Sequence, residues 1–464
     1  MTTPFLFDRM LQWQDDLALV FRNTNTSYGQ LLERVTAFEQ ELHRREIEAG
    51  RVIVIEATFS PNAVALLLAI IRVGAIAVPV TPLARVHRDE YSEIAQASTT
   101  FLFDDSDTWT VLEHPRAVSN PLTLKLIGQG HAGLVIFSSG STGAPKAVLH
   151  DFEHLLEKFR PAGPRKRTLA FLLFDHIGGL DTLFSTLANG GALVTTPQRD
   201  PDCVCRAIAQ HGVHTLPASP TFLNLMMISG AWNEHDLSSL QVIAYGSEPM
   251  PQSLLDRLRQ AFPNVKLVQT YGMSELGVLR TRSRDDGSLW IKFKNLGFET
   301  KVVDGILWVR TQSAMMGYLN APDLFHPDGW LNTEDAVEVD GEYMRILGRV
   351  TDLINVGGQK VYPSEVESVL LTLENVRDVT VYGERNPLTG HILAAKVSLI
   401  SPEPFDAFKK RLRMFCRELL PNFKIPARIE LTDEDQHGIR LKKLRKHALV
   451  TTPVAQDPSG DDEE

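Results

Sequence analysis

The sequence is poor in features that mark several classes of protein. Its 464 residues include only three cysteines, an odd number, so a disulfide framework is not expected. Cys203 and Cys205 are one residue apart, which is neither zinc-finger nor thioredoxin spacing, and with Cys416 they are expected to be reduced thiols. The formal net charge of -10 offers no general basis for binding nucleic acid or an anionic membrane.

Long hydrophobic runs and targeting segments are also lacking. The longest apolar stretch, residues 63–80, is interrupted by Arg72 and Gly74, so it predicts a buried helix followed by a strand rather than a membrane span. The start of the chain has no basic segment and soon contains acids, so a secretory signal is not expected. Cytoplasm is therefore the expected location, and neither nucleic acid nor a membrane span is predicted.

Short apolar segments alternate with helical patterns through most of the chain. Between residues 31 and 82 an amphipathic helix, a strand, a second helix and the strand AIAVPV follow one another. The alternation recurs around GGALVTT, VHTLPAS, LQVIAYGS and VKLVQTYG. This order predicts an α/β fold of layered, mainly parallel sheets covered by helices. Several strands end in Gly or Ser, which suits a ligand site at the carboxyl ends of the strands.

The pattern changes after Gly329 to short strands around a DG turn, followed by a helix from about Ser364. We therefore predict a large N-terminal domain over residues 1–348 and a small α+β domain over residues 349–453. The polar, acidic residues 454–464 are expected to form a disordered tail.

The most informative segment is LVIFSSGSTGAPKAVLH, from Leu134 to His150. Small residues let backbone amides and hydroxyls surround an anion, and a lysine adds positive charge, so this loop is suited to phosphate. It lacks the GxxxxGK[ST] pattern, so a P-loop NTPase is not predicted. The residues expected to hold phosphate are Ser138, Ser139, Gly140, Ser141, Thr142, Gly143 and Lys146.

This loop resembles the signature of the adenylate-forming (AMP-binding) superfamily, which includes acyl-CoA synthetases, amino-acid adenylation domains and luciferases. The resemblance covers nearly the whole chain, with YGSEP, YGMSE, MGY, WLNTED and GRVTDLINVGGQKVYPSEVE following in order. It implies a large N-terminal domain with a small mobile C-terminal domain. It also implies that a carboxylic acid reacts with ATP to give an acyl-adenylate, whose acyl group passes to CoA in the acid–thiol ligase branch.

The resemblance implies roles for individual residues. Thr142 and Glu275 would hold Mg²⁺, which with fixed donors neutralises the charge of the reacting anions. Asp335 would accept hydrogen bonds from the ribose hydroxyls, and Arg349 would reach ribose or phosphate. Tyr271 would stack on adenine. With the phosphate loop, the implied nucleotide-binding residues are Gly246, Ser247, Glu248, Tyr271, Gly272, Met273, Ser274, Asp335 and Arg349.

The acid-binding site is predicted from FDHIGGL, residues 174–180, which resembles the HxxG segment of aryl and acyl-CoA ligases. His176 would lie at the acyl pocket. Asp175 leaves a second interpretation open, because amino-acid adenylation domains place an Asp nearby to bind an α-ammonium group. The spacing favours His176, and hence an aryl or alicyclic acid without a required α-amine.

Two positions depart from the family pattern. The hinge residue after the GR pair is usually Asp or Lys, but Thr351 stands there. The C-terminal TGK is replaced by HGIRLKKLRKHAL, in which Lys442 and Lys443 are both candidates for the catalytic lysine and the pattern K-L-x-K-x-x-L favours Lys443. Besides a CoA ligase, two functions stay open: loading of a carrier-protein phosphopantetheine, and nucleotide binding without catalysis.

Overall fold

The computed structural model describes residues 4–139, 144–285, 287–293, 297–387, 389–438, 441 and 443. Contacts divide the chain into two compact units. The larger unit extends to Leu353 and also contains His437, Gly438 and Leu441, while the smaller one spans 354–436 and contains Lys443. No helix within the described ranges is long and apolar enough to cross a membrane.

The elements of the larger unit follow the predicted alternation. Its described α-helices are α1 Pro4–Gln12, α2 Tyr28–Arg44, α3 Pro61–Val73, α4 Arg88–Ile94, α5 Pro121–Gly128, α6 Phe152–Glu157, α7 Ile177–Ala188, α8 Pro201–His211, α9 Pro220–Ser229 and α10 Gln252–Ala261. Short 3₁₀ helices cover Pro82–His87, Ala231–Asn233 and Val350–Asp352. The strands are β1 Leu17–Phe21, β2 Thr24–Ser27, β3 Val52–Glu56, β4 Ile76–Val80, β5 Thr99–Phe103, β6 Trp109–Glu113, β7 Gly133–Ser139, β8 Pro145–Asp151, β9 Arg167–Leu169, β10 Ala192–Val194, β11 Thr215–Ala218, β12 Val242–Tyr245, β13 Lys266–Gln269, β14 Tyr271–Met273, β15 Gly277–Leu279, β16 Thr281–Ser283, β17 Ile291–Phe293, β18 Phe298–Val303, β19 Ile306–Thr311, β20 Gly317–Tyr318, β21 Leu331–Asp340 and β22 Tyr343–Arg349.

Two seven-stranded sheets form the predicted layers. One has the order β13-β12-β11-β9-β10-β1-β2 and is parallel except at β2. The other has the order β20-β8-β7-β4-β3-β5-β6, with parallel strands in its centre and antiparallel ones at both edges. The α/β prediction is therefore confirmed. A six-stranded sheet, β16-β17-β22-β21-β19-β18, is antiparallel throughout and was not foreseen.

The apolar stretch of residues 63–80 forms helix α3 followed by strand β4, as predicted. Helix α3 begins after Ser60, whose side chain accepts from the amide of Ala63, and ends at Gly74 in the left-handed conformation, φ 75°. Its residues are buried almost all around, so it packs in the main hydrophobic core. A helix that is apolar on all faces needs such a position.

Three parallel strands of the first sheet position the site. Strand register puts Ala218, Tyr245 and Gln269 side by side at the carboxyl ends of β11, β12 and β13. The segments that follow these strands therefore meet at one edge of the sheet, where ligand sites form in α/β folds.

The smaller unit combines α11 Pro363–Leu370 and α12 Phe405–Leu419 with strands β23 Ile354–Val356, β24 Gln359–Val361, β25 Val376–Asn386, β26 Gly390–Leu399 and β27 Arg428–Leu431, and a 3₁₀ helix at Asn422–Lys424. The strands form one sheet, and its core includes Val366, Phe408 and Leu412. This is the predicted α+β arrangement.

Candidate active site

A cavity of about 890 Å³ lies in the larger unit at the carboxyl edge of the parallel strands. It brings together predicted residues that are far apart in sequence: Ser138, Lys146, His176, Gly246, Ser247, Gly272, Met273, Ser274, Glu275 and Arg349. Residues 140–143, and with them the predicted metal ligand Thr142, lie outside the described residues, as does the side chain of Ser139.

Glu275 is held by a tyrosine to which no role was assigned from the sequence. The hydroxyl of Tyr318 donates to Oε1 of Glu275 at 2.6 Å, and the Lys146 ammonium lies 5.3 Å from the centre of the same ring. Burial, and then the nearby Glu275 carboxylate, raise the pKa of Tyr318, so it stays protonated and donates. The sequence showed Tyr318 only as part of MGY.

A buried histidine supports the residue before Glu275. His150, at the end of the phosphate-loop segment, donates from Nε2 to the carbonyl oxygen of Ser274 at 2.7 Å. Burial lowers the pKa of His150 to about 4, so the imidazole is neutral near pH 7. The phosphate-loop strand β8 and the YGMSE segment are thereby joined.

Asp335 and Arg349 are cross-strand neighbours in β21 and β22, with Nε of Arg349 3.8 Å from Oδ1 of Asp335. The hydroxyl of Tyr271 donates to Oδ2 of Asp335 at 2.6 Å, and the Tyr271 ring packs edge-on against Phe293. Burial raises the pKa of the Asp335 carboxyl. Among the described residues, Arg349 lines the cavity but Tyr271 and Asp335 do not.

The segment after β12 depends on close backbone packing. A Cβ at Gly246 would lie 2.7 Å from the carbonyl oxygen of Thr270, so only glycine fits there. Ser247 follows with φ 71°, in the left-handed region. The Glu248 carboxylate accepts from the amide of Thr221 at 2.7 Å, at the start of α9, and is not part of the described lining.

His176 is the N-cap of α7, and its Nδ1 accepts from the amide of Gly178 at 3.0 Å. A Cβ at Gly179 would lie 2.0 Å from the carbonyl oxygen of Leu173, which explains a glycine in the HIGG segment. Asp175 is buried and accepts from the Thr81 hydroxyl at 3.2 Å. Of the two neighbours, His176 lines the cavity and Asp175 is not part of the described lining.

Lys443 belongs to the smaller unit, where its side chain is 9% exposed. Its ammonium lies 3.1 Å from Oδ1 of Asp378 and 3.9 Å from Oε2 of Glu367, and donates to the carbonyl oxygen of Val379. Its catalytic role stays a prediction, and Lys442 lies outside the described residues. The hinge candidate Thr351 lines the cavity of the larger unit.

Comparisons with known proteins cover almost the whole chain. The family model for the AMP-binding enzyme matches residues 6–319, and that for the AMP-binding enzyme C-terminal domain matches residues 365–439. A 2-succinylbenzoate–CoA ligase from Bacillus cytotoxicus is 25% identical, over 95% of this chain and 97% of its own length.

A second CoA ligase and a solved structure are also similar to this chain. A 3-[(3aS,4S,7aS)-7a-methyl-1,5-dioxo-octahydro-1H-inden-4-yl]propanoyl:CoA ligase from Rhodococcus jostii is 24% identical, over 93% of this chain and 95% of its own. The crystal structure of the anthranilate CoA ligase AuaEII with anthranoyl-AMP has the same fold, with a TM-score of 0.79 at 21% identity over 92% of this chain and 93% of its own. These relatives support acid adenylation and CoA thioester formation as the general activity, with ATP and CoA as reactants. The chain belongs to the AMP-binding enzyme family, in its acyl-CoA synthetase branch of acid–thiol ligases.

Proposed function

We propose that this chain activates an aryl or alicyclic carboxylic acid with ATP and then transfers the acyl group from the adenylate to CoA. The observation that carries this proposal is a single cavity lined by the cations Lys146 and Arg349, the carboxylate of Glu275, and His176. Such a set can hold a polyanion at one end and a small acid at the other.

In the first step a carboxylate oxygen attacks the α-phosphorus of ATP, and the bond to pyrophosphate breaks. Two anions must approach each other, so fixed positive charge around the reacting atoms lowers the barrier. Lys146 is positioned over the Tyr318 ring, and Arg349 is positioned by its strand partner Asp335. We assign Lys146 to neutralising phosphate charge and Arg349 to binding the ribose–phosphate region.

The described residues fit a magnesium ion at Glu275. One carboxylate oxygen accepts from Tyr318, and the residue lines the cavity, so the other oxygen can serve as a ligand. Carboxylate oxygens are ligands that Mg²⁺ prefers. When bound, the ion would neutralise phosphate charge, with Thr142 as the second proposed ligand.

The acid would lie beside the N-terminus of α7. Leu172, Ile177 and Pro217 add apolar surface next to His176. The hydrogen bond between Thr81 and Asp175 supports an acid without an α-ammonium group, because the carboxylate that would bind that group is buried at another contact. The names of the relatives from Bacillus cytotoxicus and Rhodococcus jostii, an aryl and an alicyclic acid ligase, favour the same class.

In the second step the thiol sulfur attacks the acyl carbonyl carbon, the bond to the AMP oxygen breaks and the thiol proton leaves to solvent. We propose CoA as the acceptor and Lys443 as the C-terminal lysine that serves adenylation. Offering CoA and a phosphopantetheine-bearing carrier protein side by side tests the acceptor. A CoA thioester as the main product supports the proposal, and exclusive loading of the carrier overturns that part.

A paired substitution tests the site itself. Glu275→Gln removes the charge of the cavity carboxylate and should lower AMP formation at least about 100-fold, as expected for a group that stabilises transition-state charge. Glu299→Gln, which alters an exposed carboxylate paired with Arg310, should leave the rate unchanged. Equal rates for both variants would contradict the assignment.

A further inference from the structure

The cavity continues beyond His176 along the length of helix α7. Its walls there are α7 on one side and strands β9 and β11 on the other. Helix α7 runs opposite to β9, since Gly179 packs against the carbonyl oxygen of Leu173 after β9, while the Asn189 side chain accepts from the amide of Gly163 before β9. The end of the cavity away from His176 therefore lies at the C-terminal end of α7 and at the N-terminal ends of β9 and β11.

All three elements contribute apolar residues next to His176, and on α7 the lining becomes polar one turn later, at Asp181 and Thr182. The Asp181 carboxylate is paired with the Lys158 ammonium. Leu172 follows β9, Ile177 begins α7, and Pro217 and Ala218 end β11. This region adjoins the residues assigned to the reacting carboxylate and phosphate.

The far part is mostly polar on the same three elements, and its nonpolar members are Gly163 and Pro164 before β9. The lining changes to Lys166 and Thr168 on the β9 side, to Thr215 on β11, and to Ser185, Thr186 and Asn189 along α7. The lining becomes more polar in the same direction on three separate elements. This change in polarity is therefore a property of the cavity and not of one amphipathic segment.

The distance between the two ends is substantial. Leu172 and Lys166 are separated by six residues of largely extended chain, or about 20 Å. Ile177 and Asn189 are separated by twelve residues along α7 and its C-cap, or about 18 Å. A single six-membered ring beside His176 would leave most of this length unfilled.

Side chains at the far end can form hydrogen bonds with an oxygen-bearing group of the acid. The carbonyl oxygen of Ser185 accepts from the side-chain amide of Asn189 at 2.8 Å. The Ser185 hydroxyl makes no hydrogen bond to the described residues, so it can donate into the cavity. The Lys166 ammonium is bonded to the neutral amide oxygen of Gln241, so its positive charge is not compensated by that partner. Thr186 already donates to the carbonyl of Thr182 at 2.7 Å, and its oxygen is left as an acceptor.

We propose that the acid carries an apolar portion next to its reacting carboxylate and an oxygen-bearing polar or anionic group at its far end. This inference rests on the proposed function and names the substrate class for it. The apolar portion would lie between Ile177 and Pro217, and the distal group would lie between Ser185 and Lys166.

Matched acids test the inference. ATP–pyrophosphate exchange is measured with acids of one length that end in a methyl, a hydroxyl, a ketone or a carboxylate, and with a short aryl acid as reference. The oxygen-bearing ends should raise kcat/KM about 3- to 10-fold over the methyl end, the range expected for one or two net hydrogen bonds. Equal or better use of the methyl-ended acid overturns the inference.

Substitutions of Ser185 test where the distal group of the acid binds. Ser185→Leu should abolish the advantage of the long polar acids and leave the short reference acid active, while Ser238→Leu on the exposed surface should change neither. Ser185→Ala, which removes only the hydroxyl, should lower the preference for the hydroxyl-ended acid. Retained preference in both Ser185 variants contradicts the location. Absence of exchange with every acid, including the short reference, overturns the proposed function itself.

Discussion

The hydroxyl of Tyr318 donates a 2.6 Å hydrogen bond to Glu275, and the ring of the same tyrosine lies 5.3 Å from the Lys146 ammonium. One side chain thus contacts both the carboxylate proposed for Mg²⁺ and the lysine proposed for phosphate. Tyr318 is 5% exposed, so its position is fixed by packing. We conclude that it positions these two groups relative to each other.

Tyr318→Phe should separate these two contacts, because it removes the hydroxyl and keeps the ring. We expect pyrophosphate exchange to fall about tenfold, from the loss of a hydrogen bond to a charged group. The Mg²⁺ concentration for half-maximal rate should rise, since Glu275 is no longer oriented. Tyr343→Phe is the control, because this tyrosine contributes its ring to a cation–π contact with Arg284. An unchanged Mg²⁺ dependence in Tyr318→Phe would contradict the positioning role.

His176 caps the N-terminus of helix α7 and also lines the cavity, and two substitutions separate these roles. His176→Ala removes the cap and should cost about 1 kcal/mol of unfolding free energy together with acid activation. His176→Asn keeps a capping oxygen, so stability should be retained while exchange with the acid falls. Denaturant unfolding and exchange kinetics are measured on both. Full activity of His176→Asn would show that the histidine serves only as a cap.

His150 predicts how stability depends on pH. Its pKa is lowered by burial from 6.5 to about 4, so between these values the unfolded chain binds a proton that the folded chain does not. The stabilising contribution is complete above pH 6.5 and is lost as the pH falls toward 4, by up to about 3 kcal/mol.

The measurement is denaturant unfolding at pH values from 7 to 4. In His150→Gln the side-chain amide can still donate to Ser274 but does not titrate, so the fall of unfolding free energy over this range should be shallower than in the parent protein. His43, an exposed histidine at the end of α2, provides the control variant His43→Gln. A fall as steep in His150→Gln as in the parent would refute the assignment.

Lys443→Ala should depress adenylate formation far more than thioester formation from supplied adenylate, if Lys443 is the C-terminal catalytic lysine. The structure adds an expected cost in stability of about 3 kcal/mol, because the change leaves Asp378 and Glu367 without this buried cation. Thermal unfolding of the smaller unit is therefore measured beside the two half-reactions.

Two comparisons complete that test. Lys396→Ala removes a more exposed ion pair with Glu434 from the same unit and should affect neither half-reaction. Lys442→Ala tests the neighbouring candidate. Equal losses of Lys443→Ala in both half-reactions would identify a structural lysine.

Sequence patterns predicted the layered sheets and the order of the segments that meet at the cavity, because periodicity and small-residue turns are local features. The stretch that became α3 and β4 illustrates this: Ser60, Pro61 and Gly74 mark its helix boundaries in the sequence itself. His176 was placed at the acid site from its glycine neighbours, although its capping bond to Gly178 was not foreseen.

Contacts between distant segments were not predictable in this way. Glu275 and Tyr318 are brought together by the pairing of β20 with β8 and by the backbone hydrogen bond from Met315 to Glu275, neither of which leaves a local sequence signal. The same holds for the bond from His150 to Ser274, and for Lys443, whose buried carboxylate partners come from α11 and β25. Tertiary packing decides such contacts.

Whether this chain adenylates an acid is measured by ATP–pyrophosphate exchange across a panel of aryl, alicyclic, fatty and amino acids, with and without CoA. We expect exchange that depends on an aryl or alicyclic acid and on Mg²⁺, and a CoA thioester with AMP when CoA is added. ATP binding with no exchange for any acid would contradict this expectation and would indicate a nucleotide-binding protein without catalysis.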